Sequence, residues 1–332
     1  MCAAPESTTP DAVPAHTDAD VDSERTDDET DGPAPPRPAA AGRPDTRAVV
    51  AGVDSSPANG VAVDWAAREA HARQVSLTLV HTWEWGGVPV WPIEYDLATK
   101  NELEREGRRI LTRAKERALA AGATDVQIEI RRGYAPDVLI DVTADAALLV
   151  VGSRHPSPVA HRVFGSVSTA VVSQSQCPVV VLSGAPGMPE ERPQVVVGAA
   201  GVAHDEDVLA FGFDYARRHQ LPLRALFCWD PMFGDLRLPP PDIAKLRLAE
   251  SVAGWREQFP DVETHLVARR GDPVDVLVNT SASQALVVVG RHAQRMRFGS
   301  VLGSTSLGVV HHATCPVAVI PPTPSEPASE RS

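Results

Sequence analysis

The chain has 332 residues, of which 43% are hydrophobic and 5% aromatic, and its formal net charge is −12. The length allows about two domains, and the composition is that of an ordinary globular protein. An acidic chain lacks the basic surface that attracts nucleic acid. No segment approaches the roughly 18 consecutive apolar residues that indicate a membrane helix. We therefore expect neither nucleic acid nor a membrane as a partner.

The four cysteines show no CxxC spacing and no framework of disulfides. Cys177 and Cys315 each precede a proline and an apolar run, which favours small buried residues at both positions. The amino terminus lacks a basic stretch followed by an apolar core. These features predict a cytoplasmic location.

Residues 1–46 contain eleven acidic and three basic residues among many prolines and alanines. Such a segment has too few large apolar side chains to offset the entropy lost on ordering. We expect a disordered, acidic, Pro/Ala-rich tail.

From Arg47 onwards, short apolar runs alternate with amphipathic segments, which is typical of a parallel sheet covered by helices on both faces. Ser56 and Pro57 suit the cap and first residue of the first helix. The other predicted helices of this part are about Leu97–Ala121 and Pro136–Ala144, and the predicted strands are Ala48–Val53, Val75–Val80, Val126–Ile130, Leu148–Val151 and Val179–Leu182.

The same order recurs after a linker rich in glycine and proline. Gly152 and Gly290, Gly165 and Gly303, Ser166 and Ser304, and Cys177 and Cys315 are each 138 positions apart, which marks an internal repeat. The predicted elements of the second copy include Val195–Gly198, Leu223–Phe227, Ile243–Gln258 and Glu263–Val267. We expect a first domain at 47–183 (the first repeat), a linker at 184–194, a second domain at 195–322 (the second repeat) and a loose tail at 323–332.

Each repeat contains a strand that ends in glycine and a helix that begins with Gly-Ser. A glycine lets the backbone turn and lets a ligand approach closely. Free N–H groups at a helix start, with the positive end of the helix dipole behind them, suit a phosphate. A tight crossover with a serine cap explains the same residues without a ligand, and this alternative stays open.

With these motifs in place, both repeats resemble universal stress protein domains in a tandem arrangement of the actinobacterial type. The family motif is Gly, two residues, Gly, nine residues, Gly-Ser/Thr. The first repeat matches it at Gly152 and Gly165-Ser166 with His155 at the middle glycine, and the second at Gly290 and Gly303-Ser304 with Ala293 there. The resemblance implies an α/β, Rossmann-like fold class. It comprises two tandem doubly wound five-stranded parallel-sheet domains of strand order 3-2-1-4-5.

The resemblance also implies an ATP site, with or without Mg²⁺, between strands one and four. The aspartate after strand one would contact adenosine, the residue after strand two adenine, and the glycine loop and helix start the phosphates. The implied site residues of the first repeat are Gly52, Val53, Asp54, Thr82, Gly152, Ser153, Arg154, His155, Gly165, Ser166, Val167 and Ser168.

The second repeat has Ala200 at the aspartate position, so we expect a weaker or degenerate site there. Its implied residues are Gly290, Gly303, Ser304 and Ser306. The basic side chains of its loop (Arg291, His292, Arg295 and Arg297) could compensate with charge. A solvated surface loop is the interpretation that we favour for them.

These features favour an ATP-binding regulator or sensor of the stress response rather than an enzyme. The main alternative is a dimeric scaffold that binds no nucleotide. In it the two repeats pair through their last strands as an internal pseudo-dimer, and a homodimer forms in turn. A weak ATPase or an adenylyl transferase is a minor alternative. The sequence has no P-loop lysine, and Asp54-Ser55-Ser56-Pro57 stands after strand one in place of the His-rich phosphate motif of adenylyl transferases.

Overall fold

The computed structural model describes residues 46–84, 94–153, 166–183, 193–199, 205–229, 241–282, 284–291, 294–295, 300–301 and 303–323. Strands and helices alternate along both repeats. The helices are α1 (Pro57–Arg73), α2 (Glu94–Ala120), α3 (Ala135–Val142), α4 (Ser166–Gln174), α5 (Glu206–His219), α6 (Pro241–Gln258), α7 (Pro273–Ser281) and α8 (Ser304–His312). The strands are β1 (Val49–Gly52), β2 (Leu77–Trp83), β3 (Val126–Arg132), β4 (Leu148–Ser153), β5 (Val179–Ser183), β6 (Val195–Ala199), β7 (Leu223–Trp229), β8 (Thr264–Arg270), β9 (Leu286–Gly290), β10 (Gln294–Arg295), β11 (Ser300–Val301) and β12 (Val317–Ile320).

Ten of these strands form one continuous sheet with the order β3-β2-β1-β4-β5-β12-β9-β6-β7-β8. Within each repeat the strands are parallel and follow the predicted order 3-2-1-4-5. The two halves join because β5 and β12 pair antiparallel, with Val180 opposite Ala318. Internal pairing through the last strands is therefore observed, and the tandem sheets are continuous.

Two apolar layers cover this sheet, one on each face. One core contains side chains from α1, α2, α5 and α6, and the other contains side chains from α3, α4, α7 and α8. The central strands β4 and β9 are buried over almost their whole length, which explains their continuous valine and leucine runs. Cys177 and Cys315 are 1% and 4% exposed, so the prediction of buried cysteines is confirmed.

Several predicted boundaries were wrong by a few residues. Gly152 does not end its strand, because its pairing with Leu182 carries β4 on to Ser153. Thr82 lies inside β2 rather than after it, since it still pairs with Arg131. Ladder hydrogen bonds to a neighbouring strand extend a strand beyond its apolar run, and the pattern of one segment does not reveal them.

A buried ion cluster joins the repeats where α1 meets α5. Glu69 of α1 is 1% exposed, and its carboxylate accepts hydrogen bonds from Arg73 Nε at 2.6 Å, from His219 Nε2 at 2.7 Å and from Arg218. Arg218 also donates to Asp214. Nearby, the rings of Trp65 and Tyr215 stack with centroids 6.1 Å apart. Burial alone would raise the pKa of Glu69, but the hydrogen bond from His219 and the charges of Arg73 and Arg218 lower it to about 2.

Further polar contacts fasten the junction on the other face of the sheet. Arg291, half-buried after β9, donates to the carbonyl of Ser175 at the end of α4 at 2.6 Å. Ser183 Oγ donates to the carbonyl of Ala313 after α8 at 3.0 Å. The expectation that Arg291 belongs to a solvated surface loop is therefore wrong. His292 and Arg297 lie outside the described residues.

Among the described residues, none of the helices is both long enough and apolar enough to span a bilayer.

Candidate functional site

In the first repeat, β1 and β4 lie side by side in the sheet, and the strand order reverses between them. Open α/β sheets bind ligands in the crevice outside the carboxyl ends of strands at such a point. Asp54 follows β1 at the carboxyl end of that strand, and Ser153 ends β4. The topology therefore brings the predicted residues of these two strands to one end of the sheet.

Asp54 is held by the turn that starts α1. Its Oδ1 atom accepts hydrogen bonds from Ser56 N at 2.9 Å and from Ser56 Oγ at 2.6 Å, and the side chain is exposed. Ser56 is the predicted cap of α1 and Pro57 its first residue, as expected. The hydroxyl of Ser56, however, bonds Asp54 and not the free N–H groups of the helix. The turn thus orients an exposed carboxylate at the switch point.

The two strand glycines of this repeat make room for protein atoms. A Cβ on Gly152 would lie 3.2 Å from the carbonyl oxygen of Ala58, so glycine is what lets the first turn of α1 pack on β4. A Cβ on Gly52 would lie 3.1 Å from Leu139 Cδ1. Close packing of the helices accounts for both glycines without a ligand.

The helix start predicted at Gly165-Ser166 is described from Ser166 onwards. Ser166 is the first residue of α4 and is exposed, Val167 packs against the core on this face, and Ser168 is 5% exposed. Arg154, His155 and Gly165 lie outside the described residues. The exposed end of α4 is consistent with the predicted phosphate position.

In the second repeat, a cavity of about 210 Å³ lies at the corresponding carboxyl ends of the strands. All four residues predicted for the weaker site line it, and most of its other lining is apolar. The lining residues are Gly198, Ala199, Leu226, Cys228, Pro273, Leu277, Val289, Gly290, Gly303, Ser304, Thr305 and Ser306. Ser306 Oγ donates to the carbonyl of Gly290 at 2.6 Å and so ties the first turn of α8 to the end of β9.

Cys228 is a member of this cavity that the sequence reasoning missed. It lies 146 positions after Thr82, and Gly198 lies 146 positions after Gly52. This shared offset could have identified Cys228 as the counterpart of Thr82 in the second repeat. Burial raises the pKa of the Cys228 thiol to about 11, so the thiol is protonated at neutral pH and lines the cavity as a weakly polar group.

The described residues contain no group of three or more His, Cys, Asp or Glu side chains placed to hold a metal ion. The carboxylate of Asp54, by contrast, suits a ligand hydroxyl, because a carboxylate is a strong hydrogen-bond acceptor.

Comparison with known proteins gives consistent matches over both repeats. The model of the universal stress protein family matches residues 46–183 and 192–321. A universal stress protein of Mycolicibacterium smegmatis is 34% identical over 288 residues, covering 82% of this chain and 97% of its own length. Universal stress protein Rv2623 of Mycobacterium tuberculosis is 33% identical over 286 residues, covering 82% of this chain and 95% of its own length.

Among solved structures, a universal stress protein from Archaeoglobus fulgidus superposes with a TM-score of 0.64 at 16% identity. The superposition covers 83% of this chain and 98% of that one. At this identity the likeness concerns the fold.

Proposed function

The chain belongs to the universal stress protein family, and we propose that it is a regulator or sensor of the stress response that binds ATP in its first repeat. The observation that carries the proposal is the exposed Asp54 carboxylate at the switch point between β1 and β4. Its orientation by Ser56 suits a bond to a ribose hydroxyl. The exposed Ser166 end of α4 suits the phosphates.

We propose that Mg²⁺, where it takes part, enters with the nucleotide phosphates. The described residues offer no cluster of metal ligands, whereas Mg²⁺ is commonly bound through substrate phosphates. Binding rather than turnover is the proposed mode of action, with slow hydrolysis at most.

In the second repeat we propose a weaker site for the same class of ligand. The cavity keeps Gly303 and Ser304 at the helix start. Its first strand ends in Ala199, followed by Ala200 in the sequence, so the ribose acceptor is missing. A ligand there would depend on apolar contacts and on the N–H groups of α8.

The alternative function is a dimeric scaffold that binds no nucleotide. The antiparallel pairing of β5 with β12 supports its internal pairing, and the packing of Gly52 and Gly152 against protein atoms supports the absence of a ligand. This pairing uses the last strand of both repeats. A homodimer, which we also propose, must therefore form through another surface. Cytoplasmic location and the absence of a nucleic-acid partner likewise stay proposals.

The test of the ATP site is isothermal calorimetry on the whole chain and on Asp54→Ala. Loss of a charged hydrogen bond is worth about 1.5–3 kcal/mol, so we expect the affinity for ATP to fall about 10-fold or more. Asp145→Ala is the matched control, because Asp145 is exposed next to the opposite end of β4 and should leave ATP affinity unchanged.

A second variant, Cys228→Trp, fills the cavity of the second repeat and should remove only the weaker site. If Cys228→Trp abolishes ATP binding and Asp54→Ala leaves it intact, the ligand binds in the second repeat. If the wild type shows no heat of binding at millimolar ATP, the ATP-binding proposal fails and the scaffold becomes the better-supported function.

A further inference from the structure

His81 makes an unusual contact with the residue that precedes Asp54. Its Nδ1 atom lies 2.7 Å from the carbonyl oxygen of Val53. A carbonyl oxygen only accepts hydrogen bonds, so Nδ1 must carry the hydrogen and donate it. Val53 N–H in turn donates to the carbonyl of Val80 at 2.8 Å. Both backbone polar groups of Val53 are therefore fastened to β2, although β1 itself ends at Gly52.

The imidazole is held in this position by α2. Gly107 of that helix is buried, and a Cβ placed on it would lie 2.7 Å from His81 Cδ2 and 3.3 Å from Nε2. The ring thus lies directly against the helix backbone. This contact restricts the rotation of the ring and keeps Nδ1 directed at Val53.

The second repeat lacks a histidine that could make this hydrogen bond. The segments 49–83 and 195–229 correspond without a gap, since β1 and β6, and β2 and β7, each begin 146 positions apart. Phe227 stands where the first repeat has His81, and its ring has no donor. The repeat that has the carboxylate at Asp54 is also the one that has the histidine, and the repeat with Ala200 has neither.

We propose that His81 is a positioning residue of the nucleotide site, a proposal that rests on the proposed function of the first repeat. By holding the Val53 carbonyl, the imidazole fixes the backbone from which Asp54 projects, while Ser56 fixes the carboxylate itself. A ligand then meets an acceptor already in place and does not have to order it on binding.

The test compares two substitutions by calorimetry with ATP. His81→Phe introduces the side chain of the second repeat and removes the donor, and we expect an affinity about 5- to 10-fold lower than that of the wild type. His81→Asn keeps a donor, since the amide Nδ2 takes the place of Nδ1, and should restore most of the affinity. Equal losses in the two variants would overturn the proposal, as would an unchanged affinity in His81→Phe.

A double-mutant cycle separates positioning from general destabilisation. Because His81 acts through Asp54, His81→Phe should cost little further affinity in an Asp54→Ala background. Additive losses would show that His81 acts on stability or on another contact.

Amide hydrogen exchange on the protein without nucleotide tests the same contact independently of ligand binding. Faster exchange at the Val53–Ser56 backbone in His81→Phe, and not in His81→Asn, supports the positioning role, whereas unchanged exchange contradicts it. If the wild type binds no ATP, the proposed function fails, and hydrogen exchange still decides whether His81 orders this turn.

Discussion

Glu69 is charged although almost none of it contacts water. A buried carboxylate loses its hydration, and here donors from Arg73, Arg218 and His219 replace the lost water. The folded-state pKa of about 2 lies below the ordinary value of 4.5. The stabilisation is therefore fully present above about pH 4.5 and is lost as the pH falls towards 2.

Replacing Glu69 with Gln should destabilise the protein by about 3 kcal/mol or more at pH 7, because it leaves buried basic groups without their shared partner. Chemical denaturation measures this difference. Between pH 4.5 and 3 the wild type should lose stability faster than Glu69→Gln. The two plots of unfolding free energy against pH should therefore converge. Glu116→Gln, at an exposed position of α2, is the control. If the unfolding free energies of the wild type and Glu69→Gln change in parallel with pH, the assignment of a charged Glu69 is contradicted.

Sequence reasoning at this scale succeeds where the cause is local. Ser56 and Pro57 could be predicted as the cap position and the first residue of α1 from residue type and order, whereas the hydrogen bonds from Ser56 to Asp54 were not predicted. Glu69 could not be recognised in the same way. Its partner Arg218 is 149 positions away, and an acidic residue on a helix ordinarily faces water.

Among the elements, α4 connects the proposed phosphate position of the first repeat with the second repeat. Its first residue, Ser166, belongs to the proposed phosphate position, and the carbonyl of Ser175 just beyond its last turn accepts from Arg291. A cation at a helix carboxyl end interacts favourably with the helix dipole and with otherwise unpaired carbonyls. Arg291 follows Gly290, which lines the cavity of the second repeat.

We predict that Arg291→Ser, which copies Ser153 from the equivalent position of the first repeat, lowers the free energy of unfolding by about 1–2 kcal/mol. The lost contact is a hydrogen bond from a half-buried guanidinium to the end of α4. Urea unfolding of this variant should be compared with Arg269→Ser on the exposed side of β8. Equal stability of the two variants would mean that the bridge contributes nothing.

At the scale of elements, the internal repeat and the alternating apolar runs were sufficient to predict a parallel sheet with helices in each repeat, whereas the strand order was implied by the family resemblance. The ends of β2 and β4 were not predictable, because pairing with a neighbouring strand sets them. Arg291 was read wrongly for a related reason. A basic loop residue is normally solvated, and only the fold places the end of α4 beside it.

Across the whole molecule, the pairing of β5 with β12 removes two exposed strand edges and leaves β3 and β8 at the ends of the sheet. Both outer strands have charged residues at exposed positions, among them Arg131, Arg132, Arg269 and Arg270. Charge on an outer strand discourages further pairing of sheets. A second copy of the chain is therefore expected to dock through helices.

Light scattering tests the proposed homodimer at this scale. We expect a mass about twice the 35.4 kDa of one chain, and we expect it to be the same with and without ATP, since the switch points face the ends of strands and not the sheet edges. A mass of one chain at all concentrations would reject the homodimer and leave the internal pairing intact.

The cluster around Glu69 shows how the two repeats of one chain can differ in sequence where they contact each other. Glu69 and Tyr215 are 146 positions apart and so occupy equivalent places on α1 and α5. In a two-fold assembly of identical subunits every substitution is made twice, and a carboxylate near the axis would meet its own copy. Covalent fusion removes that constraint. Here Glu69 of α1 meets Arg218 and His219 of α5, so unlike side chains face each other at equivalent places of the two repeats.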